Sequence, residues 1–205
     1  MTVAALLMAA GESTRMGRMK QLVPWDGRPL VAWQAEQLRD GGAREVVVVL
    51  GHRAAEIRGA VPSWCQVVVN EAYRDGRATS LRAGALALAD DVEALLILNV
   101  DQPRPGWLSR RLVERWRSAP SPIVSPKFPR RFGHPVLLDG ALLPELREVT
   151  EATQGLRAVV QRHASDAVAV PIDNEALDYD MNTHEDYEAA LAAFERGDWD
   201  ESPAT

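Results

Sequence analysis

Three cations and two glycines share the ten residues from Gly11 to Lys20. The stretch LMAAGESTRMGRMKQL, Leu7 to Leu22, runs from an apolar segment into Ala9-Ala10-Gly11. It continues through Glu12, Ser13, Thr14, Arg15, Gly17 and Arg18 to Lys20. Glycines let backbone amides approach and wrap phosphate oxygens, and Arg and Lys neutralise them. A nucleoside triphosphate requires that combination. The plainer alternative is a surface loop with basic residues. Two familiar phosphate loops are absent. Five residues separate Gly11 from Gly17 and Arg18 follows, so no Walker loop forms. Gly-x-Gly-x-x-Gly is also missing, which argues against an ordinary dehydrogenase.

Further along, Asp101 follows the apolar run ALLIL and Asn99. A carboxylate at the end of a buried strand can meet a triphosphate-bound Mg²⁺, which commonly takes one or two protein carboxylates plus phosphates and waters. Otherwise Asp101 belongs to a turn before Pro103. Asn70, Thr79 and Ser80 are spaced to read a base and ribose, since an amide pairs with a base edge and hydroxyls adapt to either role. Thr79 and Ser80 read equally well as a helix cap. PKFPRRFGH, residues 126–134, carries Lys127, Arg130 and Arg131, a local +3 that could hold a phosphate or remain a solvated loop. Cys65 has no apparent catalytic partner, and His52 and His163 lack metal-ligand spacing.

These groups need a frame. Residues 3–9, 45–50, 66–69 and 94–98 are short apolar runs without polar alternation, as in strands buried on both faces. Helical spacing appears over 30–38, 80–88 and 108–116, where Trp33, Trp107 and Trp116 read as core. Alternating strands and helices imply right-handed crossovers and a mostly parallel sheet. Ligands of such sheets sit at the carboxyl ends of the strands, near a switch in strand order. The loops 10–20, 70–79 and 99–105 occupy those ends. After residue 116, short strands are expected at 123–125, 135–138 and 167–170. Helices are expected near 141–147, 155–163 and 183–194.

The 205 residues are 46% hydrophobic and 25% charged, which excludes disordered, collagen-like and disulfide-scaffold chains. One domain over 1–196 is expected, with an acceptor subregion at about 118–165 and an acidic, frayed tail at 197–205. The formal charge is −6, but eleven acids and one base fall in 173–205, leaving +4 for the rest. A mildly basic body is compatible with an anionic ligand. The lone cysteine points to a reducing cytoplasm. No run is apolar and long enough for a membrane span, and no basic–aromatic alternation marks a nucleic-acid groove.

Five segments in chain order resemble the MobA-like nucleotidyltransferases and are closest to their molybdenum cofactor cytidylyltransferase branch. AAGESTRMGRMKQL is similar to Ala-Ala-Gly-x-Ser-x-Arg-Met-Gly-x-x-Lys-Gln-Leu. RATSLRAG (77–84) resembles Ser-Ser-Leu-Arg-x-Gly, and NVDQP (99–103) resembles the Asp-Gln-Pro metal motif. FGHPVLL (132–138) is similar to Gly-His-Pro-Val-Leu. DMNTHEDY (180–187) resembles Asp-Ile-Asp-Thr-Pro-Glu-Asp-Tyr, with Asn182 and His184 departing from it.

The resemblance implies a Rossmann-like three-layer α/β/α fold of the nucleotide-diphospho-sugar transferase type. It implies Mg²⁺-dependent transfer of CMP from CTP to the molybdenum-pterin cofactor, with pyrophosphate leaving. Arg15, Lys20 and Asp101 are then catalytic, with Lys20 facing the α-phosphate. Ala9, Ala10, Gly11, Glu12, Ser13, Thr14, Asn70, Thr79 and Ser80 join Arg15 and Lys20 in holding the nucleotide. Asp101, Asp180 and Asn182 hold the metal. Gln102, Arg130, Arg131, Gly133, His134 and Arg157 hold the acceptor. Partners beyond substrates are an apo-molybdoenzyme or its maturation chaperone. Three alternatives stay open: GTP in place of CTP, which Asn182 favours; another phosphorylated acceptor such as a sugar or polyol phosphate; and a non-catalytic cofactor-binding chaperone.

Overall fold

A computed structural model describes residues 2–128 and 131–201. In chain order the elements are β1 (Val3–Ala9), β2 (Pro24–Trp25), β3 (Arg28–Pro29), α1 (Leu30–Asp40), β4 (Glu45–Leu50), α2 (Ala54–Arg58) and β5 (Gln66–Val69). There follow α3 (Arg77–Ala87), β6 (Ala94–Asn99), α4 (Gly106–Ser118), β7 (Ile123–Phe128), β8 (Arg131–Phe132) and β9 (Val136–Asp139). The last are α5 (Leu143–Arg147), α6 (Leu156–Arg162), β10 (Val168–Pro171) and α7 (His184–Glu195). No helix among the described residues is long and apolar enough to cross a membrane.

The main sheet runs β10-β7-β9-β6-β1-β4-β5, with β8 paired to β7. β6, β1, β4 and β5 are mutually parallel, and β10 is parallel to β7. β9 runs antiparallel between β7 and β6. Alternation along each central strand divides two cores. Val3, Ala5 and Leu7 of β1 join Trp33 of α1, Leu112 of α4 and Ala190 of α7 on one face. Ala4 and Leu6 join Leu81 of α3, Leu146 of α5 and Val159 of α6 on the other. Helices thus cover both faces, as the apolar runs of β1, β4 and β6 require. Gly84 lets α3 lie close on the sheet: a Cβ there would sit 2.9 Å from Val49 Cγ2 and 3.0 Å from Leu6 Cδ2.

The sequence expectation fails at β5, which is the sheet edge rather than a strand buried on both faces. Val69 there is 46% exposed. Apolar composition alone does not separate an edge strand from a central one. The β2–β3 hairpin was not expected, although Asp26-Gly27 is a strong turn pair. Both take left-handed φ, 49° and 75°, as a two-residue hairpin turn needs. Its strands are too short to carry a pattern, yet it places Trp25 against Trp33, Tyr187, Phe194 and Trp199.

The expected frayed tail does not hold for residues 197–201. Trp199 is 2% exposed, and its carbonyl accepts Trp107 Nε1 at 2.9 Å. Asp200 O accepts Asn174 Nδ2 at 3.1 Å, and Glu201 pairs with Arg110 and Arg111. The acidic composition concealed one large aromatic whose burial anchors the segment.

Candidate active site

The carboxyl ends of β1, β6, β4 and β5 open on one edge of the sheet, where β1 connects to neighbours on either side. After β1 the chain turns through a left-handed Ser13 (φ 54°), a single helical turn at Thr14–Met16 and a left-handed Gly17 (φ 69°). Two side chains shape this loop from below. Met16 is buried. Gln21, 1% exposed, donates Nε2 to Ala9 O at 2.8 Å and to Gly11 O at 3.1 Å, while its Oε1 has no partner. Ser13 Oγ accepts the Lys20 amide at 3.3 Å and closes the loop on itself.

A second buried glutamine does the same for the loop after β6. Gln34 of α1 is 0% exposed. Its Nε2 donates to Asn99 O, Val100 O and Gln102 O at 3.1–3.3 Å, and its Oε1 accepts Arg104 N at 3.3 Å. The third loop is fixed from α7. Thr183 and Asp186 form a reciprocal capping box, and Asp186 Oδ2 also accepts Asn182 N at 2.9 Å. Backbone donation from Thr183, joined by the neighbouring Asn182 amide, holds the Asp186 carboxyl below its ordinary value. Met181, fully buried, donates its amide to Asp101 O at 2.8 Å and locks this loop to the second.

The three loops bring Arg15, Lys20, Asp101, Gln102, Asp180 and Asn182 together. Lys20 Nζ stands 3.4 Å from Asp101 Oδ2 and 3.5 Å from Asn182 Oδ1. Arg15 Nη2 donates to the same Asn182 oxygen at 3.0 Å. Gln102 Nε2 donates to Asp180 Oδ1 at 2.8 Å, and its own Oε1 accepts Asn99 Nδ2 at 3.0 Å. The Gln102 amide therefore braces the cluster. Arg18, beside the cluster, lies against the His184 ring and over Tyr187. Among the described residues, no three His, Cys, Asp or Glu side chains gather as a metal-binding group.

On the β5 side, Asn70, Thr79 and Ser80 engage one another. Asn70 Nδ2 donates to Thr79 Oγ1 at 2.8 Å and to Ser80 Oγ at 2.9 Å, and its Oδ1 accepts Ala72 N at 3.1 Å. The amide expected to read a base is occupied within the protein. Neither hydroxyl caps α3, whose cap position is Gly76. The Ala78 amide is met instead by Glu151, in the loop between α5 and α6. Glu12 does not turn into the cation cluster: it pairs with Arg74 at 3.1 Å, and that hydrogen bond holds its carboxyl below the ordinary range. Gly51 is needed at this corner, since a Cβ there would fall 2.7 Å from Tyr73 Cβ and 2.9 Å from Ala10 Cβ.

Of the expected acceptor residues, Gly133 donates its amide to Pro126 O at 3.0 Å, and His134 O accepts Arg104 Nε at 3.1 Å. Arg130 lies outside the described residues, as do the side chains of Lys127 and Arg131. Arg157 is exposed on α6, and its amide donates to Gln154 O at 3.2 Å. Cys65 is half-buried away from these loops, and burial pushes its thiol up to about 12. Gln21, Gln34 and Arg104 escaped sequence reading, although each is a polar residue beside buried neighbours.

Comparison with known proteins identifies the family. The model of the MobA-like NTP transferase domain matches residues 5–168. Nicotine blue oxidoreductase from Paenarthrobacter nicotinovorans is 32% identical over 200 residues, covering 89% of this chain and 93% of that one. The molybdenum cofactor guanylyltransferase of Xanthomonas euvesicatoria is 33% identical over 98 residues, 48% of this chain and 46% of that enzyme. A nucleotidyl transferase structure from Methanothermobacter superposes with a TM-score of 0.81 at 22% identity, covering 95% of this chain and 98% of that one. The family model spans most of the length, and the chain belongs to the MobA-like NTP transferase domain family.

Proposed function

We propose that the chain transfers the nucleoside monophosphate of a triphosphate, CTP in the first reading, to the phosphate of a molybdenum-pterin acceptor. An acceptor phosphate oxygen bonds to the α-phosphorus, the bond to the β-phosphate oxygen breaks, and pyrophosphate leaves. The observation that carries the reading is the meeting of Arg15 and Lys20 with Asp101 and Asn182 across the ends of β1 and β6. The reaction needs little covalent help from the protein. Its barrier is charge repulsion and alignment, which fixed cations reduce.

Without substrate, Lys20 and Arg15 rest against Asp101 and Asn182. In the reaction they turn to phosphate oxygens, Lys20 to the α-phosphate. Asp101 and Asp180 would supply hard oxygen donors of the kind that suit Mg²⁺. When bound, the cation draws charge from the triphosphate. Asn182 Oδ1 holds Arg15 and Lys20 until they turn to phosphate, and it would then be free to join Asp101 and Asp180 as a neutral oxygen donor. Asn70, Thr79 and Ser80 shape the nucleoside wall through their mutual bonds.

Two observations favour a second reading. The guanylyltransferase relative, with Asn182, favours GTP over CTP. The oxidoreductase relative favours redox use of the same pocket. In that case the electrons must come from a separate bound molecule, because Cys65 has no second cysteine in this sequence with which to form a disulfide.

The test is pyrophosphate release from purified protein with Mg²⁺, each NTP in turn and molybdenum-pterin, sugar phosphate or polyol phosphate as acceptor. Release with CTP and the pterin is expected. Release with GTP alone moves the base, and release with another acceptor alone moves the acceptor. Cofactor binding without turnover favours the chaperone. No release with any pair, together with oxidation or reduction of nicotine blue against an added electron acceptor or donor, replaces the transferase reading with the redox one.

A further inference from the structure

Arg104 is a charged side chain that the chemistry above leaves unused, and it is 1% exposed. It donates Nε to His134 O at 3.1 Å, and Nη1 to Pro103 O at 2.9 Å and Tyr179 O at 2.8 Å. Its Nη2 reaches Leu177 O and Asp180 Oδ1, each at 3.4 Å. These acceptors belong to three segments distant in sequence: the loop after β6, the turn before β9 and the loop before α7.

Carbonyls alone could hold a bracket of this kind. A buried guanidinium, however, requires compensating charge, and here Asp180 supplies it. The same Asp180 oxygen accepts Gln102 Nε2 at 2.8 Å. Two donors from residues 101–104 therefore orient Asp180, and that stretch also carries Asp101. The Met181 amide ties the pair from the other side through Asp101 O. At its far end the guanidinium holds the carbonyl of His134, in the turn matched to the acceptor element.

We infer that Arg104 is a positioning residue. It sets the Asp180 carboxylate against Asp101 for a divalent cation, and it ties that setting to the His134 turn, so that cation binding and acceptor seating are coupled. The inference rests on the transferase reading for the identity of the acceptor. Arg suits the task because its planar fork reaches several acceptors in fixed directions, which a Lys ammonium does not. Residues that orient metal carboxylates from behind typically change metal affinity about 10–100-fold when removed.

The test compares the full-length protein with Arg104→Met and Arg104→Lys. Mn²⁺ binding is followed by the loss of the free-ion electron paramagnetic resonance signal, with a non-hydrolysable CTP analogue present. Steady-state KM is measured for nucleotide and acceptor separately, and folding is followed by circular dichroism melts. Arg104→Met should weaken Mn²⁺ binding about 10–100-fold and raise the acceptor KM, while nucleotide KM stays unchanged at saturating Mn²⁺. Arg104→Lys keeps the charge without the fork and should fall between. It carries the test if the Met variant does not fold.

Variants that melt lower but bind Mn²⁺ and acceptor as the unaltered protein does would reduce Arg104 to a bracket and overturn the inference. If the unaltered protein itself binds no Mn²⁺ with nucleotide, both the transferase reading and this inference fall. If it binds Mn²⁺ and turns over while the folded variants do not differ, only this inference falls.

Discussion

Replacing Lys20 by Met separates catalysis from stability at the centre of the site. Lys20 is 8% exposed, and its ammonium lies 3.4 Å from an Asp101 oxygen. At an effective dielectric of about 20, opposite charges at that distance attract by about 5 kcal/mol. Desolvating the pair costs several kcal/mol in return. Asp101 keeps a 24% exposed side chain and recovers hydration once the lysine is gone. The net loss of stability should therefore be about 1 kcal/mol, and a domain of this length shifts its Tm by roughly 2–4 °C for each such kcal/mol. Catalysis should suffer more. A fixed donor aimed at developing phosphate charge is worth about 10²–10³ in kcat, or roughly 3–4 kcal/mol, because its interaction strengthens in the transition state. Pyrophosphate release with saturating substrates measures kcat, and calorimetry measures Tm. A Lys20→Met protein with nearly unchanged kcat would refute the role. So would a loss of kcat that merely tracks a loss of folded protein.

Asp101→Asn should abolish most Mg²⁺-dependent turnover, and an unchanged Mg²⁺ titration would remove Asp101 from the metal site. Neutralising Lys127, Arg130 and Arg131 together should raise the acceptor KM and leave nucleotide affinity intact; unchanged acceptor kinetics would remove that loop from the acceptor site. Trp199→Ala should cost about 3–5 kcal/mol, as for other buried large aromatics, read as a lower urea midpoint; a surface-like effect would mean that residues 197–201 are not anchored. Asp186→Ala should remove the carboxylate half of the α7 capping box, leaving Thr183 as its cap, at a cost of about 1 kcal/mol. Because the folded Asp186 carboxyl titrates below its ordinary value of 3.8, its contribution is present above that value and fades as pH falls through the folded one. The Ala variant and the parent should therefore differ in Tm at neutral pH and converge in acid.

The central strands and the cation-rich loop after β1 were legible because their signals are local. A run such as EVVVVL followed by glycine needs only burial to become β4, and the cations of residues 11–20 lie next to one another in sequence. The pairing of that loop with residues 180–182 depends on three loops closing at one sheet edge, which local patterns do not encode. Asn70 illustrates the limit. Its residue type suggested base reading, but partners nine and ten residues away, Thr79 and Ser80, use its amide. Trp199 illustrates the converse, for its acidic neighbours set the expectation of a solvated tail while the side chain packs against the rings of Trp25, Tyr179 and Phe194. The β2–β3 hairpin follows from one Asp-Gly pair, a signal too brief to stand out between longer elements.

Gln21 and Gln34 have a consequence for how this scaffold can change its chemistry. Both grip main-chain carbonyls, and neither belongs to the cluster of Arg15, Lys20, Asp101 and Asn182. The contour of the two loops is thus written in backbone contacts and is independent of which side chains project from them. Substitutions at the projecting positions can alter the reaction while the mould stays intact. A transferase and an oxidoreductase can then share one frame, as the names of this chain's relatives suggest, with the division of labour drawn between residues that hold the loops and residues that use them.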